Sequence, residues 1–80
     1  MEFKNISGVS IRKIRRARGL RQIDISAALD VDFQIKIDPS DIGEIERGVR
    51  GVKDFELCGI SQILGVPVTD LLDQSLLTKA

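Results

Sequence analysis

The sequence predicts an all-α domain built from five short helices. Three observations carry that prediction. Apolar residues recur three or four positions apart in short runs, as in Ile11 and Ile14, Ile25 and Leu29, Ile42 and Ile45, and Ile60 and Leu64. Gly19, Gly48 and Gly65 close three of these runs. No repeat, linker or low-complexity tract divides the chain, so residues 1–80 are read as one domain.

The first helix is expected from about Ser7 to Arg18, with Ser7 as N-cap and Gly19 as the left-handed stop. The second runs from Gln22 to about Phe33 and turns Ile25, Ala28, Leu29 and Phe33 to one face. Arg21 stands where a Ser or Thr cap would serve better. Val31, Phe33, Ile35 and Ile37 then alternate with polar residues, which taken alone is a strand signal. With no second strand to pair with, the segment is read as an extended connection. Asp38 and Pro39 open the third helix as N-cap and first residue, with Asp41 three residues after the cap. Gly43 in its middle costs about 1 kcal/mol relative to Ala, which suggests a close backbone approach there. The fourth helix is expected over Asp54–Leu64, and Pro67 is expected to start a fifth. Ile14, Ile25, Leu29, Ile42, Ile45, Leu57, Ile60 and Leu64 form the expected core.

Composition narrows the function. The chain has no His, Trp or Tyr and a single cysteine, Cys58. It therefore lacks the commonest general base and the commonest zinc ligand, and it cannot close an internal disulfide. Neither enzymatic activity, metal, cofactor nor small-molecule ligand is expected. The longest mostly apolar run, Ile63–Val68, is far too short for a membrane span, and the N-terminus has no apolar signal segment. A cytoplasmic protein is expected. Net charge is zero, yet residues 1–21 hold seven basic groups against one acid, while residues 22–46 hold seven acids against one base. A basic block in a neutral chain suits a local anionic partner such as phosphate, or else pairs internally with the acidic block.

Two short helices, a turn and a third helix ending at Glu46, Arg47 and Gly48 resemble a helix-turn-helix. The stretches Ile11 to Leu20, Gln22, Ile42 to Gly48, Asp54 to Leu57, Leu64 to Val66 and Asp70 to Leu72 are similar to the lambda-repressor-like (XRE, Cro/cI type) family over roughly residues 6–73. The chain departs from the family in three side chains, Arg21, Gly43 and Pro67, and in the thirteen positions from Leu29 to Ile42, about six more than usual. It resembles a long-turn variant.

The resemblance implies a five-helix DNA-binding domain whose second and third helices form the helix-turn-helix. It implies a bacterial or phage-type transcriptional regulator, in the repressor sense, that reads a double-stranded operator as a homodimer. Gln22 would hold a phosphate at a helix N-terminus. Pro39, Ser40, Asp41 and Glu44 would lie in the major groove, where Ser and carboxylates can meet base edges. Arg47, Arg50 and Lys53 would reach phosphates, and Arg12, Lys13 and Arg16 are further candidates. Arg15 and Glu46 match a structural salt bridge between the first and third helices. Leu71, Leu72, Leu76 and Leu77 are left over once the core is assigned, and are the expected dimer contact. The acidic third helix keeps one alternative open: a helix-turn-helix that binds protein, as an antitoxin or anti-repressor does.

Overall fold

The computed structural model describes residues 3–77 and contains four α-helices. They are α1 (Gly8–Ala17), α2 (Gln22–Phe33), α3 (Pro39–Glu46) and α4 (Asp54–Leu64). Two single 3₁₀ turns follow, Val68–Leu71 and Gln74–Leu77. Helix α3 packs against both α1 and α2, α2 packs on α4, and the first 3₁₀ turn closes the gap between α1 and α4.

The helix starts share one device. Arg21, Asp38 and Lys53 are the N-caps of α2, α3 and α4. In each case the acid three residues on reaches back to the cap's N–H: Asp24 Oδ2 at 2.7 Å, Asp41 Oδ2 at 3.1 Å and Glu56 Oε1 at 3.0 Å. The N3 acid thus satisfies an otherwise orphaned donor and also complements the helix dipole. This explains how Arg21 is tolerated as a cap. Its guanidinium adds a bond to Asp24 Oδ1 at 3.0 Å, and the two Arg21 donors hold the Asp24 carboxyl below the usual carboxylate range.

Helix α1 starts differently, and Ser7 is not its side-chain cap. Asn5 Oδ1 accepts from the N–H of Ser7 at 2.9 Å and of Gly8 at 2.7 Å. The Asn5 amide donates in turn to the Ile45 carbonyl at 3.0 Å and the Arg50 carbonyl at 2.8 Å. One side chain therefore caps α1 and ties it to the end of α3. At the C-terminal ends, Gly19, Gly48 and Gly65 all adopt positive φ, as expected. Each carries the paired backbone bonds of a Schellman closure, for example Val49 N–H to the Glu44 carbonyl and Gly48 N–H to the Ile45 carbonyl, both 3.0 Å.

The residues after α2 do form an extended connection, and there is no strand among the described residues. Gln34 takes the left-handed conformation that ends α2. Ile37 then turns into the core, and its carbonyl accepts from Ser26 Oγ at 2.5 Å, which holds the long turn against α2.

Six of the eight expected core residues are fully or almost fully buried: Ile25, Leu29, Ile42, Ile45, Ile60 and Leu64. Ile14 and Leu57 are only half-buried at the edge of the core. Ile11, Ile37 and Leu71 fill the interior instead. The fifth α-helix is not formed. Leu72 is extended after the first 3₁₀ turn, and the Asp73 N–H bonds to the Ile6 carbonyl at 3.3 Å, which breaks a continuous helix. Leu71 is fully buried in this chain's own core and so is not a dimer contact. Leu72 is half-buried and Leu77 exposed, while the side chain of Leu76 lies outside the described residues.

Candidate nucleic-acid interface

Beside the start of α2, the end of α3 is tied to α1 by a buried ion pair. Arg15 on α1 donates through Nε to Glu46 Oε2 at 2.7 Å and through Nη2 to Oε1 at 3.0 Å. Both residues are more than nine-tenths buried. Arg15 Nη1 also reaches the Leu20 carbonyl at 2.8 Å, fixing the turn before α2. Gln22 Nε2 donates to the same Glu46 Oε1 at 3.2 Å. The expected Arg15–Glu46 bridge is therefore present, and it also positions the first residue of α2 against α3.

Gly43 lies beneath this junction. A Cβ added there would stand 3.3 Å from both Gln22 Nε2 and Arg47 Nη1. The close approach expected at Gly43 is thus made by two polar side chains and not by a backbone. The true backbone contact is at Gly8, where an added Cβ would lie 2.1 Å from the Ile45 carbonyl oxygen. The signal for it, a glycine in the first turn of a helix, is too common to single out.

Around this floor the expected α3 residues separate into two sets. Ser40 and Arg47 are exposed, and Pro39 and Glu44 half-buried; Ser40, Glu44 and Arg47 have no side-chain hydrogen bond or ion pair among the described residues. Asp41 is used as the N3 acid of α3.

Arg50 corrects the expectation of a free phosphate ligand. Its Nη1 and Nη2 donate to the two Glu56 oxygens at 3.1 and 3.3 Å, and Nη1 also reaches the Gly51 carbonyl at 2.9 Å. Its Nε stands 4.0 Å from Asp41. Arg50 thus braces the loop between α3 and α4. Glu56, missed in the sequence, is its buried partner. Burial alone would push the Glu56 carboxyl up, but the Arg50 guanidinium and the Lys53 N–H together bring it below its ordinary value. Because the folded value is lowered, the stabilisation is present above the ordinary carboxylate range and is lost as pH falls. Arg50→Ala is expected to cost roughly 1–3 kcal/mol at neutral pH. Urea unfolding at descending pH should show the gap between wild type and variant shrinking as Glu56 protonates; a constant gap would mean that the pair contributes nothing.

The remaining cations are arranged around the junction. Lys53 keeps its ammonium 5.8 Å from the Phe55 ring centroid, at the rim of the site. Arg12, Lys13 and Arg16 are exposed on α1 and have no ion pair among the described residues. The acidic block, by contrast, is largely absorbed: Asp24 by Arg21, Asp30 by Lys36, Glu46 by Arg15, and Asp41 by the α3 cap and Arg50. Each pair neutralises one cation along with one acid, and Glu44 on α3 keeps a carboxylate with no ion pair among the described residues. None of the described helices is long and apolar enough to cross a membrane.

A helix-turn-helix family profile matches residues 11–71. No curated protein matches. Among solved structures, the chain is similar to the restriction-modification controller protein C.AhdI from Aeromonas hydrophila. The two share 26% identity over 81% of this chain and 89% of that one, with a TM-score of 0.70. It is also similar to the DNA-binding domain of BldD, with 28% identity over 90% of this chain and 99% of that one and a TM-score of 0.67. The BldD DNA-binding domain of S. venezulae gives 29% identity over the same shares, with a TM-score of 0.67. With its profile match, its buried Arg15–Glu46 bridge and its α2–α3 geometry, the chain belongs to the lambda-repressor-like helix-turn-helix family.

Proposed function

We infer that this protein is a sequence-specific DNA-binding transcriptional regulator that occupies its operator as a repressor. The observation that carries this reading is the α2–α3 junction. Gln22 sits at a helix N-terminus, held by Glu46, beside an α3 face whose Ser40, Glu44 and Arg47 have no side-chain partner among the described residues. In this reading α3 enters the major groove, Ser40 and Glu44 meet base edges, and Pro39 marks the end of α3 that enters first. Gln22, Arg47 and Lys53 hold the phosphates on either side, with Arg12, Lys13 and Arg16 as outer contacts. Asp41 caps the reading helix, and Arg50 braces the loop behind it. Restriction-modification control belongs to C.AhdI; what this chain shares with it is the fold, over 81% of this chain's length.

Two copies are needed in this reading, because one small domain covers few base pairs and regulators of this geometry read half-sites about 34 Å apart. A protein-binding role gains one observation, the unpaired carboxylate of Glu44 on α3. A salt titration of binding to duplex DNA separates the two. Each phosphate contact contributes a slope of about −0.9 to log K against log salt. Wild type should give a slope steeper than about −3, and Arg47→Ala should flatten it by about one unit on every sequence. A slope near zero, or no binding, would favour the protein-binding module.

A further inference from the structure

We propose that Arg50 is a specificity-determining residue that acts without touching DNA: it holds the Asp41 carboxylate to the protein and so leaves Ser40 and Glu44 as the base-reading residues of α3. Three contacts fix the Arg50 guanidinium. Its Nη1 and Nη2 hold the two Glu56 oxygens at 3.1 and 3.3 Å, and Nη1 also donates to the Gly51 carbonyl at 2.9 Å. Glu56 is buried, and its Oε1 also accepts from the Lys53 N–H at 3.0 Å, so the anchor itself does not move freely. The fork of the guanidinium is therefore spent on α4. The remaining edge faces α3, with Nε 4.0 Å from Asp41 Oδ1.

Asp41 is thus engaged through both oxygens. Oδ2 accepts from the Asp38 N–H at 3.1 Å, and Oδ1 faces the Arg50 cation. A carboxylate held in this way is not free to accept from cytosine N4, the contact that an acid makes in the major groove. The charge matters as much as the bond. Asp41 stands in the first turn of α3, where a bare carboxylate would be repelled by the phosphates on either side of the groove. The Arg50 guanidinium is held above its ordinary value first by the Glu56 hydrogen bonds, and then by the nearby charges of Glu56, Asp41 and Glu44, against the effect of burial. Its charge is therefore shared with both acids of the outer α3 face. Glu44 differs from Asp41 in having no hydrogen bond or ion pair among the described residues, so its oxygens stay available.

The proposal rests on the reading of α3 as a base-reading helix, and the test keeps the two apart. Full-chain variants are compared by selection from a random duplex library and by titration on the wild-type motif. Asp41→Asn alone keeps an acceptor for the cap and should retain the motif, with affinity within about twofold of wild type. Arg50→Gln bares Asp41 to the phosphates and should weaken binding to the wild-type motif by about tenfold or more. It should also bring a new preference for cytosine at one position. Adding Asp41→Asn to Arg50→Gln should remove that preference and restore affinity to within about threefold of wild type. A purely structural role for Arg50 gives a loss that Asp41→Asn does not rescue. A direct phosphate contact gives a salt slope flattened by about one unit, again without rescue. Either result overturns the proposal, and so does a changed motif for Asp41→Asn alone. If Arg50→Gln loses its helical circular-dichroism signal, Asp41→Asn decides: an unchanged motif upholds the proposal and a changed base overturns it. If wild type itself enriches no motif, the base-reading claim falls and the proposal with it.

Discussion

Replacing Glu46 with Ala is expected to remove about 3–5 kcal/mol of folding stability, because it leaves the buried Arg15 guanidinium without its carboxylate. The whole domain has about 4–12 kcal/mol to lose, at roughly 0.05–0.15 kcal/mol per residue. Much of the population should therefore unfold at moderate temperature. The geometry supports the upper part of the range. The pair is bidentate at 2.7 and 3.0 Å and is almost excluded from solvent. Arg15 would keep only the Leu20 carbonyl, and Gln22 would lose its acceptor as well. A double-mutant cycle with Arg15→Ala, read by urea denaturation, isolates the pair. Replacing both residues by apolar ones of similar size should cost less than either single change, since no charge is then stranded. A coupling energy within about 0–1 kcal/mol would instead place the pair in solvent.

Gly8→Ala is expected to be nearly as damaging, at about 3 kcal/mol or more, the upper end of what overpacking costs. The added methyl would lie 2.1 Å from the Ile45 carbonyl oxygen and 2.9 Å from that of Glu46. These are backbone atoms, so no rotamer change relieves the contact; α1 and α3 must separate. That movement also pulls Arg15 from Glu46 and Asn5 from the Ile45 carbonyl. Gly43→Ala is the control. Its methyl meets only the ends of two flexible side chains at 3.3 Å, and Ala favours a helix interior by about 1 kcal/mol. Thermal unfolding should separate the two variants widely, with Gly43→Ala at or above wild type. Equal losses would mean that α1 and α3 are not in backbone contact.

The sequence makes the helices more legible than their connections. Local chemistry decides the ends of α1, α3 and α4: Gly19, Gly48 and Gly65 stop them, and Asp38 with Pro39 starts α3, so these boundaries are visible residue by residue. The Arg15–Glu46 bridge was visible through family resemblance and is present as expected. Other features depend on which distant residues meet. Arg50 looks like a free loop cation until the fold brings Glu56 to it. Asn5 looks like a terminal polar residue until the carbonyls of Ile45 and Arg50 lie within its reach. Leu71 and Leu72 are adjacent, so the pattern shows only that one of them turns inward; the packing of α1 and α4 selects Leu71. The exposure of Phe33 has a related reason. Helical spacing turns it to the face of Ile25 and Leu29, but α2 ends there, where it leans on Gly59 of α4.

That α3 reads base edges is the central claim, and selection from a random duplex library tests it most directly. Wild type should enrich one sequence, arranged as two inverted half-sites about one helical turn apart. Ser40→Ala and Glu44→Ala should each change the preferred base at particular positions of that sequence while leaving the flanks alone. Arg47→Ala should lower the yield without changing the motif. If wild type enriches no sequence, or if the Ser40 and Glu44 variants enrich the same motif as wild type, α3 does not read bases and the account fails.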